Sequence, residues 1–513
     1  MGRGMATSTQ FLDTLLAGGA DLADIMAAFH AAEDAADGPD AQKIPYFRWQ
    51  HAVTPQQKKQ LEAIADAALA DTQASAETLT LATGLMMRLS KEAANNLGQF
   101  QEAADTLTGA SGPTILYEAG NILRAVTDWP RLEALCGHAL EQFDRSDMRL
   151  NILADWFVLA RYRQLVRKFE VNRLSGDDTV AFEAVIERLA AALGRDTKNV
   201  AFYQSILATL RGALEDAVAW ILKAQQLPGK VIVLFQRLES FCSLEDLASA
   251  QSPAHKTLAG PLDHHFLHQA GTDPVLLLSA DQGYVERYFD KLCESFGYWN
   301  PGGLVHLHCV GFALDEMARR ALETSHNVRI NYTADRQPAI EADEELFPGY
   351  CANARYLFLP QYLAQYQRIA ITDIDGVIRR PLKDLWRKGE DAIRITTKML
   401  DDNWGATRLM WEAIAAGSLA ISNTPANAAF AWRVANYLAD QVEVCRTRGM
   451  KLFYTDQIGL LLSYLASRNS CEFKPLSGLY RQRGRWAFGG GGGTRAAHQK
   501  ALDYKTPDKP AGE

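Results

Sequence analysis

Arg368-Ile369-Ala370-Ile371-Thr372-Asp373-Ile374-Asp375-Gly376-Val377-Ile378 is the stretch that decides how this chain folds. Its apolar run predicts a buried strand, which leads straight into two carboxylates one residue apart. On an extended backbone, residues i and i+2 point to the same side, so Asp373 and Asp375 are expected to face one site. Like charges that close are costly unless something positive sits between them. A divalent metal, Mg²⁺ or Mn²⁺, is the expected occupant, because such ions take oxygen ligands and share them with substrate phosphates.

Upstream of this stretch, strands and helices alternate. Val275-Leu276-Leu277-Leu278 reads as a short buried strand feeding Asp281 and then an amphipathic helix with Val285, Tyr288, Phe289 and Leu292. A second strand is expected over 304–310, a helix around 315–322, a third strand near 328–332 and a helix over about 352–366. The pattern predicts an α/β fold, with a mainly parallel sheet covered by helices. Ligands of such sheets bind beyond the carboxyl ends of the strands.

With these residues in view, the chain resembles glycosyltransferases whose GT-A type domain carries a D-x-D motif and binds a nucleotide sugar. Asp373-Ile374-Asp375 matches that motif, and Arg380-Pro381-Leu382-Lys383-Asp384-Leu385-Trp386 is similar to the segment that often follows it. Tyr350-Cys351-Ala352-Asn353-Ala354-Arg355-Tyr356 is similar to an aromatic-Arg segment whose Arg lies near the nucleotide. The strand-like run from Ala416 to Thr424, with Asn423 near its end, is similar to the strand lining the sugar and acceptor side. Phe453-Tyr454-Thr455-Asp456-Gln457 is similar to a late Asp-Gln segment aimed at the donor sugar. The matches are short, ordered, and cover about residues 274–475.

The resemblance implies a nucleotide-diphosphate sugar as donor and a protein or glycan as acceptor. It implies Asp375 as direct metal ligand with Asp373 as its partner, and Asp281, Arg355, Asp373 and Asn423 as donor-binding residues. Asp456 and Gln457 would be catalytic. The family often closes its site with a basic C-terminal segment. Arg481, Arg483, Arg485 and the glycine run ending at Gly493 suit that, with His498 as a third metal ligand. The competing reading of this Gly-rich stretch is a flexible tail.

The first half is different in texture. From about Ser8 to Leu227 it reads as helix after helix, with Leu61, Ile64, Ala65, Ala68 and Leu69 at helical spacing and Thr54-Pro55 as a cap and first-turn proline. The stretch from Tyr117 through Trp129 to Leu140 loosely resembles tetratricopeptide-type repeats, and an irregular helical bundle fits as well. No catalytic constellation is visible there, so its role is expected to be recognition of an acceptor or partner. The domain reading is 1–229 helical, 230–273 linker, 274–488 catalytic and 489–513 tail. In the linker Val231-Ile232-Val233-Leu234-Phe235 fits either strand or helix. Asp263, His264, His265 and His268 read as a loop more readily than as a metal cluster.

Bulk properties set limits. With 513 residues the chain is too long for one core. A formal charge of −8 argues against nucleic-acid binding, which needs a basic footprint. Seven scattered cysteines with no C-x-x-C pair predict reduced thiols. No signal-like or membrane-spanning segment is seen, so a cytoplasmic location is expected. A homo-oligomer stays open, with no heptad run to specify one.

Two rival classes share these residues. A haloacid-dehalogenase-type phosphatase would use Asp373 as nucleophile and Asp375 as general acid-base, since Asp373-Ile374-Asp375-Gly376-Val377 also fits its first motif. Against it, the motif lies far from the start of its domain and no later Gly-Asp-x-x-x-Asp strand end appears. A non-catalytic scaffold with a carbohydrate or nucleotide binder is the other. A carboxylate pair with no metal to hold counts against that one.

Overall fold

Strong local signals set the helix starts. Thr54 caps its helix through a reciprocal box with Gln57, and Pro55 occupies the first turn, where its missing N–H costs nothing. Ser175 and Asp178 form a second such box. The computed structural model describes residues 10–36, 53–90, 98–107, 111–142, 148–170, 175–194, 196–228, 238–253, 262–386, 390–397, 410–452, 454–476 and 487–488. The chain divides into two compact units, 1–211 with 223–238, and 212–222 with 239–513.

The described residues of the first unit are helical. They form α1 (Gln10–Ala17), α2 (Leu22–Ala36), α3 (Pro55–Ala70), α4 (Ala76–Leu89), α5 (Gly98–Ala104), α6 (Gly112–Ala125), α7 (Trp129–Gln142), α8 (Met148–Glu170), α9 (Gly176–Leu193) and α10 (Lys198–Leu210). Helix α11 (Leu214–Gln226) is divided between the units. Among the described residues of this unit, helix lengths run from 7 residues in α5 to 23 in α8. The core gathers Leu12, Ile25, Phe29, Leu61, Leu81 and Leu85. Beneath it lies a buried ion network. Arg88 Nη1 of α4 donates to Glu118 Oε1 of α6 at 2.5 Å, and His30 Nε2 of α2 meets Glu118 Oε2 at 2.7 Å.

In the second unit α12 (Leu244–Ser249) precedes the sheet elements β1 (Leu262–His265), β2 (Val275–Ala280), α13 (Asp290–Trp299), β3 (Leu304–Val310), α14 (Glu316–His326), β4 (Arg329–Asp335), α15 (Phe347–Leu357), α16 (Leu359–Gln365) and β5 (Arg368–Thr372). They are followed by β6 (Val377–Ile378), β7 (Ile393–Thr397), β8 (Ile414–Ser422), α17 (Pro425–Arg448), α18 (Thr455–Ser467), β9 (Phe473–Pro475) and β10 (Ala487–Phe488). Eight strands form one mixed sheet in the order β1-β4-β3-β2-β5-β8-β7-β9, and β10 pairs with β6 in a second. Strands β4, β3, β2 and β5 are parallel neighbours, while β8 runs antiparallel between β5 and β7. This is the α/β class expected, with the helical N-terminal region also as expected. Buried runs explain the parallel strands: every residue of β2 and β3 is buried.

Three features differ from the sequence reading. The polar stretch taken as a link contains β1, an edge strand paired antiparallel with β4. Its histidines serve that edge: His264 Nδ1 meets Thr333 Oγ1 at 2.9 Å, His268 Nε2 meets Glu323 at 2.7 Å, and His265 stacks on Tyr332. The helix expected over 352–366 is two helices that part at Phe358, where Pro360 cannot supply a backbone donor. And residues 373–376 form a turn, closed by Gly376 N–H on Asp373 O at 3.2 Å, rather than extended backbone. Residues 231–235 and Trp404 lie outside the described residues, while Trp411 is buried in the core.

Candidate functional site

The carboxyl ends of β2 and β5 lie side by side, because Leu277 pairs with Ile371 in a parallel ladder. Asp281 directly follows β2 and Asp373 directly follows β5. Because the backbone turns at 373–376, Ile374 is buried while Asp373 and Asp375 on either side are both half-exposed. The turn, not strand alternation, is what brings the two carboxylates out to one edge.

Helix α15 brings Arg355 to the same place. Its Nη2 donates to Asp373 Oδ1 at 2.6 Å, and Nη1 donates to Thr372 O at 2.8 Å. The guanidinium is almost fully buried. Burial works against its charge, but the Asp373 carboxylate outweighs that and keeps it protonated. Tyr356, next on the helix, donates its hydroxyl to Ala416 O. On the other side of Asp373, a methyl group at position 417 would come within 2.9 Å of Oδ2. Gly417 thus leaves room for that oxygen, while Arg355 holds the other.

Asp456 stands in the first turn of α18, where its Oδ1 accepts from the Gln457 N–H at 2.8 Å. Desolvation raises its carboxyl above the ordinary range, and nearby Arg355 works in the opposite direction. Tyr454, just before it, has φ +61°, a left-handed conformation that costs a residue with a side chain about 1–3 kcal/mol. Asn353 of α15 donates to Thr455 Oγ1 at 2.8 Å and so joins the Arg355 helix to the Asp456 helix.

Asp281 is half-buried and caps the turn after β2, its Oδ1 accepting from Tyr284 N–H at 2.9 Å. Tyr284 was not singled out from sequence. Its side of the turn is open, at 43% exposure, and its phenol is raised by desolvation and then by Asp375, Tyr288 and Asp281. Tyr284 is an exposed aromatic near Asp281 and Asp375, just beyond the carboxyl end of β2. The available sequence signal was position: an aromatic three residues beyond a buried strand and its Asp.

The structure thus brings Arg355, Asp373 and Asp456, with Gln457 beside it, into one group, and Asp281, Asp375 and Tyr284 into an adjoining one. It does not bring Asn423 there. Because β8 is antiparallel to β5, Thr372 pairs with Ser418 and Arg368 with Ser422. Asn423 therefore lies at the opposite end of the sheet, roughly 15 Å along the ladder. There its N–H donates to Gln367 O at 2.8 Å. The end of β8 that reaches Asp373 is the small-residue run Ala416-Gly417-Ser418. His498 and residues 481–486 lie outside the described residues. Strand β10 pairs Phe488 with Val377, two residues from Asp375, so the chain returns to the motif just before its glycine run.

Among the described residues no three His, Cys, Asp or Glu side chains converge to hold a metal. What they offer is a pair of partly exposed carboxylates, Asp373 and Asp375, with Arg355 bonded to the first. Such an oxygen donor set fits a hard divalent cation whose other positions go to phosphate and water. His306 and His308 are buried and hydrogen-bonded within the sheet, away from solvent.

No protein-family model and no curated protein matches the chain. Among solved structures it is similar to the apo-form glycosyltransferase GlyE of Streptococcus pneumoniae, over 39% of this chain and 44% of that one, at 14% identity and TM-score 0.26. It is similar to the galactosyltransferase LgtC in complex with donor and acceptor sugar analogs, over 37% and 70%, at 18% identity and TM-score 0.27. A third likeness is to the apo structure of the bifunctional WbbM, over 67% and 69%, at 13% identity and TM-score 0.25. The chain spans less than half the length of the first of these. At such TM-scores the likenesses carry no functional weight, and the reading below stands on the site's own residues.

Proposed function

We propose that this chain is a metal-dependent glycosyltransferase that moves a sugar from a nucleotide-diphosphate donor to a protein or glycan acceptor. The observation that carries it is the pair of half-exposed carboxylates at the end of β5, Asp373 and Asp375, with Arg355 bonded to Asp373 at 2.6 Å. Asp375 would be the direct ligand of Mn²⁺ or Mg²⁺ and Asp373 its positioned partner. When bound, the ion supplies charge stabilisation for the leaving diphosphate. Asp281 and Tyr284 would take the nucleoside, Tyr284 by stacking and Asp281 through its uncapped oxygen. Asp456 and Gln457 would face the donor sugar, Asp456 orienting the acceptor or balancing positive charge on the ring. In the transfer the sugar–phosphate C–O bond breaks with its electron pair going to the diphosphate. The acceptor atom forms the new bond to the sugar carbon, and its proton passes to the leaving diphosphate or to solvent.

A phosphoryl-accepting carboxylate needs an open oxygen for in-line attack. Arg355 already holds one oxygen of Asp373, Oδ1 at 2.6 Å, which leaves Oδ2 alone for that role in the phosphatase reading. The helical unit would recognise the acceptor or a partner, as the reading of 1–229 proposes. All seven cysteines are thiols rather than disulfides, which suits the proposed cytoplasmic location. Among the described residues no helix is long and apolar enough to cross a membrane.

The test is a thermal-shift panel of nucleoside diphosphates with and without Mn²⁺. A shift that needs both one nucleotide and the metal supports the transferase and names the donor base. No shift, with phosphate-ester turnover that Asp373→Asn abolishes, would establish the phosphatase instead. Two further outcomes are expected. Tyr284→Ala weakens nucleotide binding about tenfold, since stacking on a base contributes about 1–3 kcal/mol, while Tyr284→Phe leaves it unchanged by fluorescence titration. Gly417→Ala pushes on the Asp373 carboxylate, which Arg355 prevents from yielding. It should cost about 1–3 kcal/mol in stability and weaken Mn²⁺ binding about tenfold, both read by titration.

A further inference from the structure

Helix α15 is tied across the sheet at four points in six residues. The Tyr350 hydroxyl donates to Asp335 Oδ2 at the end of β4 at 2.7 Å. Ser279 Oγ of β2 donates to the Cys351 carbonyl at 2.6 Å. Asn353 reaches Thr455, and Arg355 ends the series on Asp373. The first tie is the one remote from the carboxylates, since β4 lies three places from β5 in the sheet order.

Asp335 is fully buried, so it does not meet a substrate. A carboxylate there persists only with its lone pairs filled. His308 Nε2–H donates to Oδ2 at 3.0 Å and Gln337 Nε2 donates to Oδ1 at 3.0 Å. Tyr362 in turn meets His308 Nδ1 at 2.5 Å. The acceptor that receives Tyr350 is thus fixed from the strand side by β3 and β4. Because a helix is stiff along its axis, fixing Tyr350 fixes where Arg355 emerges, five residues and about 7.5 Å further on.

We propose that Asp335 is a positioning residue: through Tyr350 it sets the axial position of α15 and with it the grip of Arg355 on Asp373. Its consequence for metal binding rests on the function proposed above; its effect on Arg355 does not.

The test compares Tyr350→Phe with Tyr366→Phe in the full chain. Tyr366 is a control of the same kind, a buried hydroxyl shared with His306 and Asn331 and not with α15. Arginine-selective ¹⁵N spectra report the guanidinium of Arg355, assigned by Arg355→Lys. Expected is a sharp, slowly exchanging signal in the wild type and in Tyr366→Phe, and a broadened or lost one in Tyr350→Phe. Titration with Mn²⁺ alone should be about tenfold weaker in Tyr350→Phe only, the usual scale for removing a supporting partner of a metal ligand. Wild-type guanidinium signals in Tyr350→Phe, or equal loss in both variants, overturns the proposal. Absence of Mn²⁺ binding by the wild type would sink the metal reading and leave the spectra to decide the brace.

Discussion

Asp375→Ala should reduce sugar transfer by about a thousandfold while leaving the fold in place, the scale seen when one stabiliser of developing charge is removed from a preorganised site. Asp375 is half-exposed in a turn, so its truncation opens no cavity in the core. Arg355 keeps its partner, because the guanidinium is bonded to Asp373 and not to Asp375. The grip of Arg355 on Asp373 should therefore survive the substitution while the cation loses its direct ligand. In a coupled assay of nucleoside diphosphate release, turnover falls to background. In thermal shift, the midpoint without ligand stays within a few degrees and the Mn²⁺-dependent rise with nucleotide disappears. A variant that still shows that rise would move the metal away from Asp375 and take the central observation of the functional reading with it.

The parallel strands were legible because burial on both faces writes itself as a run. Val275 to Leu278, Leu304 to Val310 and Ile369 to Thr372 are such runs, and they are β2, β3 and β5. Strand β1 was not legible, because Leu262-Asp263-His264-His265 is an edge with no apolar run to mark it. Strand direction was the larger loss. The resemblance pointed to Asn423, at the carboxyl end of β8, as a donor-binding residue. The antiparallel course of β8 puts its other end, Gly417 and Ser418, beside Asp373. Nothing in the local sequence of β8 encodes its direction; that follows from where the chain crosses after β7. The residue types of the site were readable, Asp373, Asp375, Arg355 and Asp456 among them. Their partnerships were not. Arg355 reaches Asp373 across 18 positions, and Asn353 reaches Thr455 across 102, through the packing of α15. Asp335 carries no motif, and the motif that includes Tyr350 does not show what its hydroxyl holds; only the hydrogen bond does.

Glu118→Ala should destabilise the helical unit by about 3–5 kcal/mol, because it leaves Arg88 as a buried charge without its counter-ion. Both side chains are fully buried, and Glu118 packs so closely on α4 that a Cβ at Gly84 would overlap its carboxylate. Burial alone would push the Glu118 carboxyl up. The Arg88 guanidinium and the hydrogen bonds from His30 and Arg88 outweigh it and bring it from 4.5 down to about 2. A depressed folded value has one sign: the contribution is complete above the unfolded pKa of 4.5 and drains away as pH falls toward 2. At about 1.4 kcal/mol per unit, the acid-sensitive share is about 3 kcal/mol. Hydrogen exchange of α2, α4 and α6 measures this in the full chain, helix by helix, with the second unit as internal reference. Protection in the wild type should fall between pH 4.5 and the lowest pH reached, and Glu118→Ala should start low and lose that dependence. The double variant Arg88→Met with Glu118→Leu separates charge from packing, since apolar replacement of a whole buried pair is often neutral or stabilising. Recovery of protection in the double variant means that the pair is a liability when split rather than a source of net stability. If the single variant is as protected as the wild type, Glu118 is not the acid-sensitive group and the ion network does not hold these three helices.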